Sequence, residues 1–302
     1  MFKMKAALPA LLAGSLVGTA AAAGDCRLTM VGEFDFAARE DNGGVLIDAL
    51  IDGVPKKLLV DTGGVATEIS EAVAQELKLR RHGLEHGAYA SDYAGHVLHW
   101  IGVIPSLQVG TMHGNDVHAL IDPYWMDSTA SGAIGPDFLR QFDVEFDFAA
   151  QKMKLFSQDH CPGQVVYWTH DAVASIPIKI DDDGHIGATV TLDGKDLDAD
   201  IDTGSTFSAM KLGGAWSFFA LKPDSPGVTK IDSGGVYSYA FKSLTLGEMA
   251  FGNPTLHLYD DSYLWHDDMR RRMLFGLHEL RKLHLFISYK EKMLYATAAG
   301  AH

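Results

Sequence analysis

The run Lys57-Leu58-Leu59-Val60-Asp61-Thr62-Gly63-Gly64 has a second copy 141 residues later, Ala199-Asp200-Ile201-Asp202-Thr203-Gly204-Ser205. In both, apolar residues lead into Asp-Thr-Gly. One such triplet constrains little, because Asp and Gly are common in turns. The spacing around it constrains much more. Eight residues before each Asp lies the glycine of an Asp-Gly turn, Asp52-Gly53 and Asp193-Gly194. Seventy-four residues after each Asp lies a glycine behind apolar residues, in Ala133-Ile134-Gly135 and Leu274-Phe275-Gly276. Three landmarks that keep one period identify an internal duplication, with an acidic residue at the same place in each half.

The chain has 302 residues, room for two modest units, and its apolar fraction of 47% against 21% charged is that of a globular protein. Residues 1–23 read as a secretory signal: Lys3 and Lys5, an apolar run from Ala6 to Ala20, and the small residues Ala21-Ala22-Ala23. A retained anchor is the alternative, but the run is short for a membrane span and Pro9 interrupts it. Asp25, ahead of Cys26, does not suit lipoprotein processing. The expected division is a signal at 1–23, a first unit at 24–165 and a second at 166–302. The expected compartment is the periplasm or the medium, with no membrane contact after cleavage. Cleavage would move the net charge from −14 to −16, because it removes two lysines and no acids. So acidic a chain is a poor partner for nucleic acid. Two cysteines in an exported chain predict a disulfide, here Cys26 to Cys161, joining the mature N-terminus to the junction between the repeats. Free thiols are the alternative.

Val45–Ile51 and Val54–Val60 predict a hairpin that ends in Asp61. Glycine at position 63 suits a tight loop in which a residue with a Cβ resists the backbone angles. Ser70 is a natural N-cap for a helix over Glu71–Leu79. A second hairpin is expected over 84–109, its turn at Ser91-Asp92-Tyr93-Ala94-Gly95, followed by an irregular loop at 121–131 and a short helix at Pro136–Arg140. Val144, Phe146 and Phe148 alternate with acids, as in a half-buried strand. The second half repeats the plan: strands at Ile186–Leu192 and Lys195–Ile201, a helix at Ser208–Phe219 weakened by Gly213-Gly214, and a hairpin over 228–246 with its tip at Asp232-Ser233-Gly234-Gly235. Asp232-Ser233-Gly234 imitates the acidic triplet. It lacks the preceding hairpin and the downstream glycine, so it reads as a turn.

If the halves face each other, Asp61 and Asp202 meet. Two carboxyls that close share one proton. One then acts as base toward a water and the other donates to a carbonyl oxygen. This pattern resembles the aspartic peptidases of the retropepsin/pepsin clan, most closely bacterial exported retropepsin-like proteins with two Asp-Thr-Gly lobes on one chain. The match spans residues 44–296. The resemblance implies an all-β, bilobal fold of two retropepsin-like β-barrel lobes with few short helices. It also implies an aspartic endopeptidase that needs no cofactor and takes peptide or protein in extended form. Asp61 and Asp202 would be the catalytic pair, and Thr62 and Thr203 would brace the loops alongside Gly63, Gly204 and Ser205. Gly135 and Gly276 would let chain pass behind each loop. Tyr93 and Tyr237 would sit on flaps over the substrate.

Two positions depart from the pattern. Gly64 replaces a hydroxyl or small side chain, whereas Ser205 keeps its hydroxyl, and Asp200 stands where the first half has Leu59. An inactive bilobal module that binds extended peptides or cell-envelope ligands is therefore the competing reading. With both halves on one chain a monomer is expected, rather than a single-lobe enzyme that must dimerise. His82, His86, His96, His99, His113 and His118 crowd the first half, but no ligand spacing typical of zinc emerges and no metal is expected. No glycine pair has the context of a phosphate loop, and no serine or cysteine nucleophile motif occurs.

Overall fold

The computed structural model describes residues 26–37, 43–92, 95–232, 234–260 and 273–301. The expected signal segment 1–23 and Tyr93 lie outside the described residues. The first half runs β1 (Met30–Ala37), β2 (Leu46–Ile51), β3 (Val54–Val60), β4 (Glu68–Ser70), α1 (Glu71–Glu76), β5 (Arg80–Gly83), β6 (Trp100–Val109), β7 (Met112–Asp122), β8 (Gly132–Ile134), α2 (Pro136–Leu139), β9 (Asp143–Asp147) and β10 (Lys152–Phe156). The second runs β11 (Ala174–Ile180), β12 (Ile186–Leu192), β13 (Lys195–Ile201), β14 (Ala209–Lys211), α3 (Leu212–Phe219), β15 (Thr229–Lys230), β16 (Val236–Ala240), β17 (Ser243–Leu246), β18 (Met249–Gly252), β19 (Thr255–Tyr259), β20 (Met273–Phe275), α4 (Leu277–Leu280), β21 (Leu283–Ser288) and β22 (Met293–Ala298). Strands dominate, helices are few and short, and the architecture is the expected all-β, bilobal one.

In each half the first strand is followed by a hairpin, β2–β3 or β12–β13. Both turns are Asp-Gly pairs with positive φ at the two positions: Asp52 at 50° and Gly53 at 78°, Asp193 at 44° and Gly194 at 77°. That geometry matches the right-handed twist of the flanking strands. Side chains alternate between core and solvent along β2, with Ile47, Ala49 and Ile51 inward and Asp48 outward, where it pairs with Lys57 across the hairpin at 2.7 Å. The returning strand then pairs in parallel with a later one, β3 with β8 and β13 with β20. Parallel pairing buries both faces, which is why Val60, Ile134, Ile201 and Phe275 are all apolar and almost fully buried.

A six-stranded antiparallel sheet joins the halves in the order β1-β10-β9-β21-β22-β11. Its order reads the same from either end once the halves are exchanged. At its centre β9 lies beside β21, with Val144 opposite Ile287 and Phe146 opposite Leu285, all four fully buried. The alternating acids of β9 do not face water as expected. Asp143 and Glu145 are 0% exposed, because the chain after β10 folds back over that face. Asp143 accepts from Ser288 Oγ and the Tyr289 amide and pairs with His160 Nε2 at 2.5 Å. Glu145 is held by Lys154 Nζ at 2.9 Å, Tyr167 Oη at 2.6 Å and His284 Nε2 at 3.1 Å. A disulfide joins Cys26 to Cys161, Cα atoms 4.8 Å apart, and pins the start of the described chain to this returning segment.

Two helices differ from expectation. The helix capped by Ser70, whose Oγ accepts from the Val73 amide at 3.3 Å, stops at Glu76. Lys78 turns left-handed with φ 51°, which sends Leu79 into the core instead of along the helix. In the second half Ala209–Lys211 is strand, not helix. It fills the gap between β19 and β20 and buries Ala209 and Met210. The helix starts only at Leu212 and carries Gly213 and Gly214 within it.

Candidate active site

The strands that end each hairpin deliver Asp61 and Asp202 to the junction of the two halves. Each aspartate is fixed from behind by its parallel neighbour: the Asp61 amide donates to Ile134 O at 3.0 Å and the Asp202 amide to Phe275 O at 3.0 Å. The threonines that follow lock the two loops together. The Thr62 amide donates to Thr203 Oγ1 at 3.1 Å and the Thr203 amide to Thr62 Oγ1 at 3.0 Å. Each hydroxyl donates across the interface to the residue before the opposite aspartate, Thr62 to Ile201 O at 2.7 Å and Thr203 to Val60 O at 2.7 Å. Both threonines are 0% exposed, so each of these bonds acts where no water competes for it.

The carboxyls lie within hydrogen-bond reach of each other. Asp61 Oδ1 accepts from the Gly63 amide at 2.9 Å, and Asp202 Oδ1 accepts from the amides of Gly204 at 2.8 Å and Ser205 at 3.1 Å. The two glycines serve a purpose other than the expected one. Neither has positive φ. What each supplies is space for the opposite carboxyl: a Cβ on Gly63 would strike Asp202, and one on Gly204 would strike Asp61. Gly135 and Gly276 stand behind the loops against backbone, at Ala66–Thr67 and at Ser205 and Phe207, where a Cβ would also collide.

Burial pushes Asp202 well above the ordinary carboxylate range, and the charges of Asp61 and Asp200 push it further. Burial also raises Asp61, but the amides of Gly63 and Gly64, the bond with Asp202 and the charge of His185 pull it back. Both carboxyls are thus raised, and like charges held this close keep a proton between them. The Ser205 hydroxyl donates to Phe207 O at 2.8 Å and not to the carboxyl. The backbone of Gly64 bonds Asp61 without any side chain.

Several residues around the pair were not singled out from the sequence. Thr67 and Ser208, one period apart, each accept the amide of the glycine behind the loop, Gly135 at 3.3 Å and Gly276 at 3.0 Å. Each is anchored on an acid of the following helix, Asp137 or Glu279. Extending the period would have found both. Glu68, next to Thr67, is pushed up to about 8 by burial and by the charges of Asp61, Asp122, Asp92 and Asp137. At acidic pH it is a neutral carboxyl beside the dyad. His185 reaches the Asp61 loop from the β11–β12 turn and meets Gly64 O at 2.9 Å. Its counterpart one period earlier is Gly44, so no repeat-based reading would reveal it.

A hairpin projects from each half. In the first, Ser91 pairs with Val97, and Asp92 accepts the His96 amide at 2.8 Å and meets His96 Nδ1 at 2.7 Å. His96 stacks on Tyr124 with ring centroids 4.1 Å apart. In the second, Asp232 Oδ1 accepts from the amides of Gly234 and Val236, which makes it a turn residue. Tyr237 lies in β16 between β15 and β19 and packs half-buried against the core. Of the six first-half histidines, His82 and His118 meet edge to face at 5.3 Å and His96 is paired as above. Among the described residues Asp181, Asp183 and His185 bring potential ligand atoms within 4.8 Å of one another. Both ring nitrogens of His185 already face protein oxygens, so this trio is a hydrogen-bonded turn.

The family model described as gag-polyprotein putative aspartyl protease matches residues 47–141, from β2 to the end of the first half's short helix, Asp61 and Gly135 included. No curated protein sequence matches. Among solved structures, the chain is similar to an aspartic proteinase from Irpex lacteus, with TM-score 0.54 and 11% identity over 89% of this chain and 97% of that one. It is similar also to basic 7S globulin from soybean, with TM-score 0.53 and 11% identity over 91% of this chain and 96% of that one. At such identity the likeness shows the fold. In fold, and in family match over its first half, the chain is aspartic-peptidase-like.

Proposed function

We propose that the protein is an exported aspartic endopeptidase that hydrolyses peptide bonds with a water activated between Asp61 and Asp202. The observation that carries this reading is the reciprocal threonine clasp, which holds the Asp61 and Asp202 carboxyls against each other at the junction of the halves. Asp61, ionised, takes a proton from the water. Asp202, protonated, donates to the carbonyl oxygen of the scissile amide, and the water oxygen bonds the amide carbon. The proton on Asp61 then passes to the leaving nitrogen as the C–N bond breaks, and one hydroxyl of the diol returns its proton to Asp202, which leaves the product acid and restores the starting pair. Carboxyl chemistry suffices for every step, and no cofactor is invoked.

The substrate is an extended peptide or protein segment lying between the halves beneath the Asp92–His96 hairpin. The protein acts as a monomer, since one chain supplies both carboxyls. Its compartment is the periplasm or the medium, a reading supported by the pattern of residues 1–23 and compatible with the disulfide. The test is digestion of a peptide library by the mature protein across acidic to neutral pH. Internal cleavage by the parent and none by Asp61→Asn or Asp202→Asn is the expected result. A variant that cleaves like the parent would refute the mechanism.

A further inference from the structure

The turn between β11 and β12 belongs to the second half but docks on the first. Arg140 donates to Asp182 O at 2.8 Å, and Gly184, with φ 95°, fits against Pro136 and Arg140. This docking places His185, 7% exposed, against the loop that carries Asp61. Its Nε2 meets the Gly64 carbonyl at 2.9 Å, and its Nδ1 meets Asp181 Oδ2 at 3.2 Å. Asp181 Oδ1 also accepts the His185 amide at 2.9 Å, which fixes the carboxylate in place. A carbonyl oxygen only accepts hydrogen bonds, and so does an ionised carboxylate. A ring placed between the two donates on both sides only as imidazolium.

We propose that His185 is a positioning residue of the dyad: as an imidazolium anchored on Asp181, it clasps the Gly64 carbonyl and makes Asp61 the carboxyl that is ionised. The proposal rests on the reading of Asp61 and Asp202 as a proton-sharing pair. Among the described residues Asp202 has no such clasp: the position equivalent to His185 is Gly44, and its side is occupied by Leu59. Besides Asp61, the like charge of Asp200 also acts on Asp202. Among the described residues, the other titratable and charged groups around this site include Asp183 on the same turn, Arg140 and Asp137 on the α2 side, and Glu68 on β4. Of these only Arg140 is cationic, and it is engaged with Asp182 O. Among the described residues, His185 is thus the group that reaches the Asp61 loop and has no counterpart at Asp202.

The test is a carbon-detected NMR titration of the Asp61 and Asp202 side-chain carboxyls in the full chain, assigned with the two Asp→Asn variants. The His185→Gln variant keeps an amide donor for Gly64 but carries no charge. Asp181→Asn removes the anchor from the outer side of the turn and guards against misfolding of the first variant. Asp61 is expected to ionise before Asp202 in the parent and at higher pH in both variants, with the acid limb of the kcat/KM profile moving the same way. An Asp61 titration unchanged in His185→Gln overturns the proposal, because the bond to Gly64 would then be sufficient without charge. The titration needs no turnover. A parent that cleaves nothing but shows the displacement would remove the peptidase reading and leave this one standing.

Discussion

At the scale of single residues, the site is made by groups that leave room for one another. Gly63→Ala and Gly204→Ala each drive a methyl into the facing carboxyl. Both are expected to reduce kcat at least about tenfold, a misplacement well under an ångström at reacting groups being enough for that, with little change in circular dichroism. The threonine clasp is structural as well as orienting. Thr203→Val keeps the shape but leaves the Thr62 amide and Val60 O without a partner in a buried place. A loss of about 2–4 kcal/mol in chemical denaturation is expected. Glu68 behaves differently. Its folded value of about 8 lies above the ordinary 4.5, so the folded chain binds its proton more tightly than the unfolded chain. The folded state is therefore progressively penalised as pH rises from about 4.5 to 8. Glu68→Gln is expected to raise the melting temperature at pH 7–8 and leave it unchanged near pH 4. Asp61, Asp202 and their threonines were legible in the sequence because a repeat marks them twice. Glu68 and His185 were not, because each occurs in one half only and acquires its role through burial or through a contact that local sequence does not encode.

At the scale of elements, the hairpins were the most legible feature. Asp-Gly with positive φ at both positions permits few other connections, and alternation along β2 fixes which face is buried. The sequence suggests helix at β14 because Ala209, Met210 and Lys211 suit either structure locally. What decides between them is the slot between β19 and β20, supplied by residues far away in sequence. The acids of β9 were read as solvent-facing for a similar reason: alternation tells which residues share a face, not what later covers it. That covered face is held by a buried polar network. Burial alone would raise Glu145, but bonds from His284, Tyr167 and Lys154 outweigh it and leave its value below 4.5. A depressed carboxyl stabilises the fold above its unfolded value, and this contribution is lost as pH falls below about 4.5. Glu145→Gln is expected to cost about 3 kcal/mol at pH 7, since it strands Lys154 partly buried, and distinctly less at pH 3. Urea denaturation at the two pH values measures the difference.

At the scale of the whole molecule, duplication accounts for the architecture. Two copies of one plan meet through β9 and β21, and their leading aspartates meet at the same junction. The disulfide closes a loop that spans the first half, from residue 26 to residue 161. Its removal in Cys26→Ser/Cys161→Ser is expected to cost about 2–5 kcal/mol, while the carboxyl pair, which it does not touch, keeps its geometry. The symmetry of the chain is broken around the carboxyls by Asp200 on one side and the β11–β12 turn on the other. The central claim, that two carboxyls share one proton over a single water, is tested most directly by the pH dependence of kcat/KM for cleavage of an unstructured peptide. The expected profile is a bell, its acid limb set by ionisation of Asp61 and its alkaline limb by loss of the proton from Asp202, and it vanishes in both Asp→Asn variants. A rate that does not fall at either limb, or a bell that survives Asp202→Asn, would contradict the account.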